Sequence, residues 1–346
     1  MNISGRCFLP PWLRQDSQEE NSESYELDNG SILLEDLIAS CDGKSNPIRH
    51  YSADELITAT NNFDLVNLIG KNGIYKMFRG ILENRDVIIK KIETRDLAIR
   101  DIIISMQMSS HKNVLKLLGC CLEFRVPALV HEDAAKGVLN ANGCYWDNEC
   151  LPWGTRLRIA KQVANAITYL HTAFPRPIIH RGLKPSCIAL NSDFVPKICH
   201  FSLSITIPPE QSYVEDEVAG SYGYLDPTYY ASNIITEKTD IYSLGVTLLV
   251  FLTGQNGLQQ FRDTEGESNI VSYAELHAST DQFKTIVDPK ILEELEGEDN
   301  KQAQEQQLHD FLTLALICTQ GNVDARPDMI DVAKELVRIE KSFISC

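Results

Sequence analysis

The sequence predicts an α+β protein, with strands early in the chain and helices after them. Two observations carry this. Between residues 68 and 132 the apolar residues come in short runs, such as Leu68-Ile69-Gly70, Val87-Ile88-Ile89 and Ala128-Leu129-Val130, which read as strands. From residue 153 onward they recur at helical spacing. Leu157, Ala160, Val163, Ala164, Ile167 and Leu170 mark a helix from Trp153 to Thr172; Leu308 to Cys318 and Met329 to Ile339 mark two more. The length of 346 residues leaves room for two lobes and a tail, because single cores rarely grow past about 250–300 residues.

Four stretches give the lobes a character. They are Val87-Ile88-Ile89-Lys90, His180-Arg181-Gly182-Leu183-Lys184-Pro185-Ser186-Cys187, His200-Phe201-Ser202 and Asp240-Ile241-Tyr242-Ser243-Leu244-Gly245. In order and spacing they resemble the V-A-I-K, H-R-D-x-x-x-x-N, D-F-G and D-x-W-S-x-G signatures of protein kinases, across roughly residues 63–342. The resemblance implies the bilobal protein-kinase fold, with a small strand-rich lobe over about residues 63–132 that holds a helix C, and a larger helical lobe over about 133–342. It also implies that the reactive letters are gone. The Asp that accepts the substrate proton is Gly182, the Asn that holds the second magnesium is Cys187, and the Asp of D-F-G is His200.

The formal charge of −16 argues against nucleic acid, whose phosphates demand basic surface. It disfavours an anionic membrane as well. The ten cysteines are scattered through apolar segments and are expected to be reduced thiols. No apolar run approaches the roughly 20 residues that span a bilayer, so no transmembrane segment is expected. Asn2 in place of Gly argues against N-myristoylation, and Cys7 reads as an ordinary thiol. The expected location is the cytoplasm, with recruitment to the plasma membrane left to partners.

In chain order, residues 1–30 are rich in Glu, Ser and Asn and read as a flexible acidic tail. Ser31 to Ser40 reads as a short amphipathic helix capped by Ser31, the start of a unit over residues 31–62. Leu34 and Ile38 share one stripe of it, Leu33 and Leu37 another. Either one stripe packs inward while the other meets a partner, or both pack inward. Tyr51 to Phe63 resembles the Y-S-x-x-E-L-x-x-A-T-N-x-F lead-in of plant receptor-like kinases.

Leu68 to Gly80 aligns on the glycine-rich loop, which needs glycines because the backbone approaches phosphates closely. Only Gly70 is kept; Asn72 and Tyr75 hold the other two positions, and a Tyr ring there enters the phosphate space. Lys90 is retained. Its Glu partner on helix C falls at Ile102, and Asp101, one residue away, is turned by about 100°, which argues against it as a replacement. Lys90 is therefore expected to be vestigial, or a solvated strand lysine. Val126 to Glu132 resembles the last small-lobe strand and hinge, with His131 near the gatekeeper position.

Loss of a general base costs roughly 10²–10⁴ in rate. The metal ligands are the sharper test. Magnesium takes carboxylate or amide oxygen, whereas imidazole and thiol are softer donors. Magnesium is therefore not expected at His200 and Cys187, and no ATP-dependent enzyme activity is expected. Cys187, Cys199, His200 and His180 lack the C-x₂₋₄-C spacing of structural zinc, so no metal site is expected either. A Cys–His hydrolase lacks a third orienting group.

In the large lobe, Asp240 is expected to brace the backbone of the 180–187 loop. Thr228 replaces the Glu that pairs with an Arg-Pro motif, here Arg326-Pro327, so Arg326 is expected to be resolvated or to find Asp226 or Asp324. Residues 200–228, with Pro208-Pro209 and the acidic run Glu215-Asp216-Glu217, read as a mobile loop. Residues 257–268 read as a surface excursion.

The lead-in segment, the H-R-G-L-K-P loop and the degenerate D-F-G are similar to those of the ZED-related kinases, a plant receptor-like cytoplasmic pseudokinase family. The similarity covers about residues 29–342. It implies a catalytically inactive adaptor in plant innate immunity, held by the leucine-rich repeats of a coiled-coil NLR immune receptor. It implies receptor-like cytoplasmic kinases and pathogen effectors as further partners, and it puts Leu34 and Ile38 on the receptor-facing helix face. The alternatives are a weakly active serine/threonine kinase working through Lys90, or an allosteric regulator of another kinase.

Overall fold

Alternation builds the small lobe. In the computed structural model, which describes residues 22–41, 48–145, 149–258, 261–263, 266–279, 282–296 and 301–342, strand Tyr75–Leu82 buries Tyr75, Met77, Phe78, Gly80 and Leu82 and exposes Lys76 and Ile81. Its partner Arg85–Ile92 buries Val87 through Lys90, as a strand covered on both faces does. In chain order the lobe runs α1 (Ser22–Cys41), β1 (Arg49–His50), α2 (Ala53–Ala59), β2 (Leu68–Lys71), β3 (Tyr75–Leu82), β4 (Arg85–Ile92), α3 (Arg95–Gln107), β5 (Leu117–Cys121) and β6 (Ala128–Glu132). The strands form one sheet in the order β1-β5-β6-β4-β3-β2. Only the β1–β5 pair is parallel.

The expected acidic tail and short helix need correction. Residues 1–21 lie outside the described residues, but 22–30 are helical, so α1 begins nine positions before Ser31. Ser31 is an interior residue whose hydroxyl donates to the Asp28 carbonyl at 3.0 Å. Tertiary anchoring overrides the polar composition here. The fully buried Asn29 amide donates to the Leu122 and Phe124 carbonyls at 2.8 and 2.9 Å. Leu33 is buried, and Ile32 and Leu37 pack beside it on the small-lobe core. The lead-in segment belongs to the lobe as well. Ser52 and Glu55 form a reciprocal capping box on α2, and Tyr51 and Leu56 are buried with Val87 and Ile89.

The large lobe follows as β7 (Gly137–Val138), α4 (Trp153–Thr172), β8 (Ile178–Ile179), β9 (Ile188–Leu190), β10 (Pro196–Ile198), β11 (Ile205–Thr206), β12 (Val214–Glu215), α5 (Pro227–Ser232), β13 (Ile234–Ile235), α6 (Glu237–Thr253), β14 (Phe261–Asp263), β15 (Gly266–Ser268), α7 (Ile270–Ser279), α8 (Pro289–Glu296), α9 (Lys301–Cys318) and α10 (Met329–Lys341). Helix α4 has the bounds its periodicity predicts. Helix α6 is apolar nearly all round and buried from Thr239 to Thr253, which makes it the axis of this lobe. Gly254, at φ +65°, ends it in the left-handed region.

One loop expectation is overturned. Residues 200–228 are pinned to the lobe, because β11 pairs with β8 and β12 with β13. The acidic run supplies a counter-charge, Asp216, to Arg181 at 2.6 Å. Within the 257–268 excursion, β14 and β15 form an antiparallel hairpin.

Candidate functional site

Five elements converge between the lobes. Strand β3 carries Tyr75, β4 carries Lys90, α3 carries Asp101, and the segment after β10 carries His200. The 180–187 loop lies beneath them.

Lys90 is 1% exposed and Asp101 is wholly buried. The Lys90 ammonium forms an ion pair with the Asp101 carboxylate. The same carboxylate accepts from the Ser202 hydroxyl at 2.7 Å, and from the Phe201 N–H and the Ser105 hydroxyl at 3.3 Å each. Burial on its own raises the Asp101 pKa, but Lys90 and the hydroxyl donors outweigh it and hold the carboxyl below its ordinary range. This corrects two expectations: Lys90 is not solvated, and Asp101 is its partner. The helix turns Ile102 into the apolar core and leaves Asp101 facing the cation, the stable arrangement for a buried carboxylate.

The Tyr75 ring stacks on the His200 imidazole, with centroids 3.9 Å apart and planes at 17°. His200 has φ +73°, rare for a residue with a side chain. Its ring nitrogens meet no hydrogen-bond partner among the described residues. Burial, followed by the nearby Lys90 charge, holds its pKa well below the ordinary value, so the ring is neutral. His131 on β6 is similar: burial first, then Lys90, brings it down to about 4.

The glycine-rich loop is closed by its own side chain. Asn72 Oδ1 accepts from the Ile74 and Tyr75 N–H groups at 2.8 and 3.0 Å. Donors that a phosphate-cradling loop leaves available are thereby taken. On the facing side the Cys187 thiol donates to the Gly182 carbonyl at 3.1 Å, and Lys184 donates to Ser221 Oγ at 2.7 Å. A Cβ at Gly182 meets only Leu203, at 3.5 Å, so packing does not require a glycine there. The cavity among Asn72, Tyr75, Gly182, Cys187 and His200 measures about 30 Å³. That is room for about two waters, against roughly 300–1,000 Å³ for ligand pockets.

The brace around these positions is intact. Asp240 accepts from the His180 and Arg181 N–H groups at 2.7 and 2.8 Å, and its carboxylate also meets His171 Nε2 at 2.9 Å. Arg326, 2% exposed, takes Asp226 in a bidentate pair at 2.6 and 2.9 Å, so of the two acids expected for it Asp226 is the one used. Among the described residues no group of three or more His, Cys, Asp or Glu is arranged to hold a metal ion.

Some of this was missed in sequence. Tyr229, beside Thr228 at the end of the kinase-like activation segment, contacts Arg181 and the Glu217 carbonyl through its hydroxyl, a role the sequence did not single out. On α1, Leu34 and Ile38 are 58% and 56% exposed, and Leu27, one heptad before Leu34, is exposed too. That spacing was visible, but Leu27 lay in a stretch read as tail. Beneath this face runs a groove of about 720 Å³ lined by Leu27, Leu33, Leu34, Ile48 and Leu122 among others.

Residues 64–338 match the protein kinase domain. The chain is 43% identical over 323 residues to the non-functional pseudokinase ZED1 of Arabidopsis thaliana, covering 92% of this chain and 96% of that protein. It is 40% identical over 341 residues to the non-functional pseudokinase ZRK2, covering 95% and 94%. It is also 38% identical over 339 residues to the serine/threonine-protein kinase ZRK1, covering 94% and 95%, both again of Arabidopsis thaliana.

Proposed function

The chain belongs to the protein kinase family, and we propose that within it the chain is a catalytically inactive pseudokinase acting as an adaptor in plant innate immunity. The observation that carries the inactive reading is the Tyr75–His200 stack, which fills the space where phosphates would lie. Magnesium triphosphate does not fit these residues. The donors at the metal positions are a neutral imidazole and a thiol already bonded to Gly182, both poor ligands for a hard ion. With neither metal nor general base, the charge that develops in phosphoryl transfer has nothing to neutralise it. Lys90 is committed to Asp101 and serves the fold.

The adaptor reading rests on a split helix. Helix α1 buries Leu33 against the lobe and turns Leu34 and Ile38 outward, which offers an apolar stripe to the leucine-rich repeats of a coiled-coil NLR receptor. The braced large lobe keeps a kinase-like surface for receptor-like cytoplasmic kinases altered by pathogen effectors. The protein then works in the cytoplasm, reaching the plasma membrane through its partners.

Two experiments test this. Purified protein incubated with radiolabelled ATP and magnesium or manganese is expected to give no transfer. Lys90-dependent labelling would instead support a weakly active kinase, a reading favoured by the retained Lys90–Asp101 pair and by the kinase name of ZRK1. Leu34→Glu or Ile38→Glu is expected to abolish receptor co-purification from plant tissue at unchanged melting temperature. Retained co-purification would remove the helix from the interface.

A further inference from the structure

Two thiols meet at the base of a short hairpin in the large lobe. Tyr145 and Glu149 form an isolated antiparallel bridge. The Tyr145 N–H donates to the Glu149 carbonyl at 3.1 Å, and its hydroxyl to the Glu149 carboxylate at 2.8 Å. Cys144 and Cys150 flank that pair and so stand opposite each other. Beside a hydrogen-bonded pair an antiparallel ladder places a closer one, with Cα atoms about 4.5 Å apart. That lies inside the roughly 4.4–6.8 Å that a disulfide spans. The Cys144 thiol donates to the Asn142 carbonyl at 3.9 Å, and Cys150 lies near enough to help raise its pKa.

The backbone is also held for the bond. The Cys144 N–H donates to Asn140 Oδ1 at 3.0 Å, and the Cys144 carbonyl accepts from the Asn140 N–H at 2.8 Å. The Asn142 amide donates to the Gly254 carbonyl at the end of α6, at 2.8 Å. Cys144 is buried and Cys150 partly exposed, so an oxidant reaches one sulfur first and the other waits behind it.

We propose that Cys144 and Cys150 form a reversible oxidation site, which hydrogen peroxide converts into a disulfide closing this hairpin. The Cys150 thiolate attacks a peroxide oxygen; the O–O bond breaks, one water leaves and the sulfur becomes a sulfenic acid. The Cys144 sulfur then displaces that hydroxyl as a second water and forms the S–S bond. Two thiols and one hydrogen peroxide give one disulfide and two waters; each sulfur is oxidised by one electron and both peroxide oxygens are reduced. A dithiol reverses the reaction by exchange. Burial pushes the Cys144 thiol up to about 12, so the first attack falls to Cys150, and closing the bond requires the Cys144 proton to leave with the displaced hydroxyl.

Both cysteines fall in one tryptic peptide, Gly137 to Arg156, with Glu149 between them. After treatment of the purified chain with hydrogen peroxide and alkylation, that peptide is expected to weigh two hydrogen atoms less and to recover on reduction with dithiothreitol. Cleavage after Glu149 is expected to leave its halves joined. Cys150→Ser, a change at a partly exposed position, is expected to abolish the loss. The proposal is overturned if the peptide stays unchanged while other cysteines oxidise. It is overturned equally if the peptide gains oxygen without losing hydrogen, or if the halves separate.

Discussion

Replacing Asp101 by asparagine removes one charge from the cleft and almost nothing else. The amide oxygen still accepts from Ser202, which donates at 2.7 Å, and the side-chain volume is unchanged. What is lost is the anion beside Lys90, which is 1% exposed and has no water to turn to. Breaking a buried pair from one side costs about 3–5 kcal/mol, because the remaining charge keeps its desolvation penalty and loses its compensation. That is a fifth or more of the roughly 5–15 kcal/mol that holds a domain together. Lys90→Met alone strands the carboxylate and is expected to cost a similar amount. The double variant Lys90→Met/Asp101→Asn buries no net charge, so it is expected within about 2 kcal/mol of the parent. Urea unfolding of all four proteins gives the cycle, with stability read from the midpoints at constant slope. An Asp101→Asn cost below about 1 kcal/mol, or a double variant as unstable as the two singles summed, would refute the pairing.

Three further outcomes follow from the same geometry. His131 is neutral when folded and titrates at about 4, against about 6.5 unfolded. The unfolded chain therefore binds the extra proton as pH falls from 6.5 to 4, and His131 alone removes about 3 kcal/mol of stability across that window; His131→Leu is expected to make that part of the urea-midpoint profile shallower, the buried His180 and His200 supplying the slope that remains. Asp226→Ala leaves the 2%-exposed Arg326 without its bidentate partner, for an expected loss of about 3–5 kcal/mol, read as a fall in melting temperature of roughly 2–4 °C per kcal/mol. On α1, Leu33→Ala is expected to cost about 2–5 kcal/mol, whereas Leu34→Ala, at a 58% exposed position, stays within about 0.5 kcal/mol by the same assay.

Local regularity made much of the fold legible. The 3.6-residue period of Leu157 to Leu170 placed α4 at its observed ends, since one buried face imposes that spacing wherever the helix packs. The motif letters located Lys90, Gly182, Cys187 and His200 because they sit at set separations along the chain. Helix α1 was half missed for the opposite reason. Its first turns are polar and are held by Asn29, whose bonds reach carbonyls more than ninety residues away.

What the residues alone determined about this protein was identity at each position: no carboxylate at 182 or 200, no amide at 187, a lysine kept at 90, a Tyr where a glycine belongs. Only the tertiary structure decided what those changes amount to. It brought Asp101 rather than Ile102 to Lys90 and laid Tyr75 flat on His200. It tied the acidic run at 215–217 to Arg181 and paired Tyr145 with Glu149 between the two cysteines that flank them. Pattern along a chain reports which face of an element is buried. Which side chain then meets which depends on how separate elements pack, and that packing is settled by burial and charge pairing over the whole lobe.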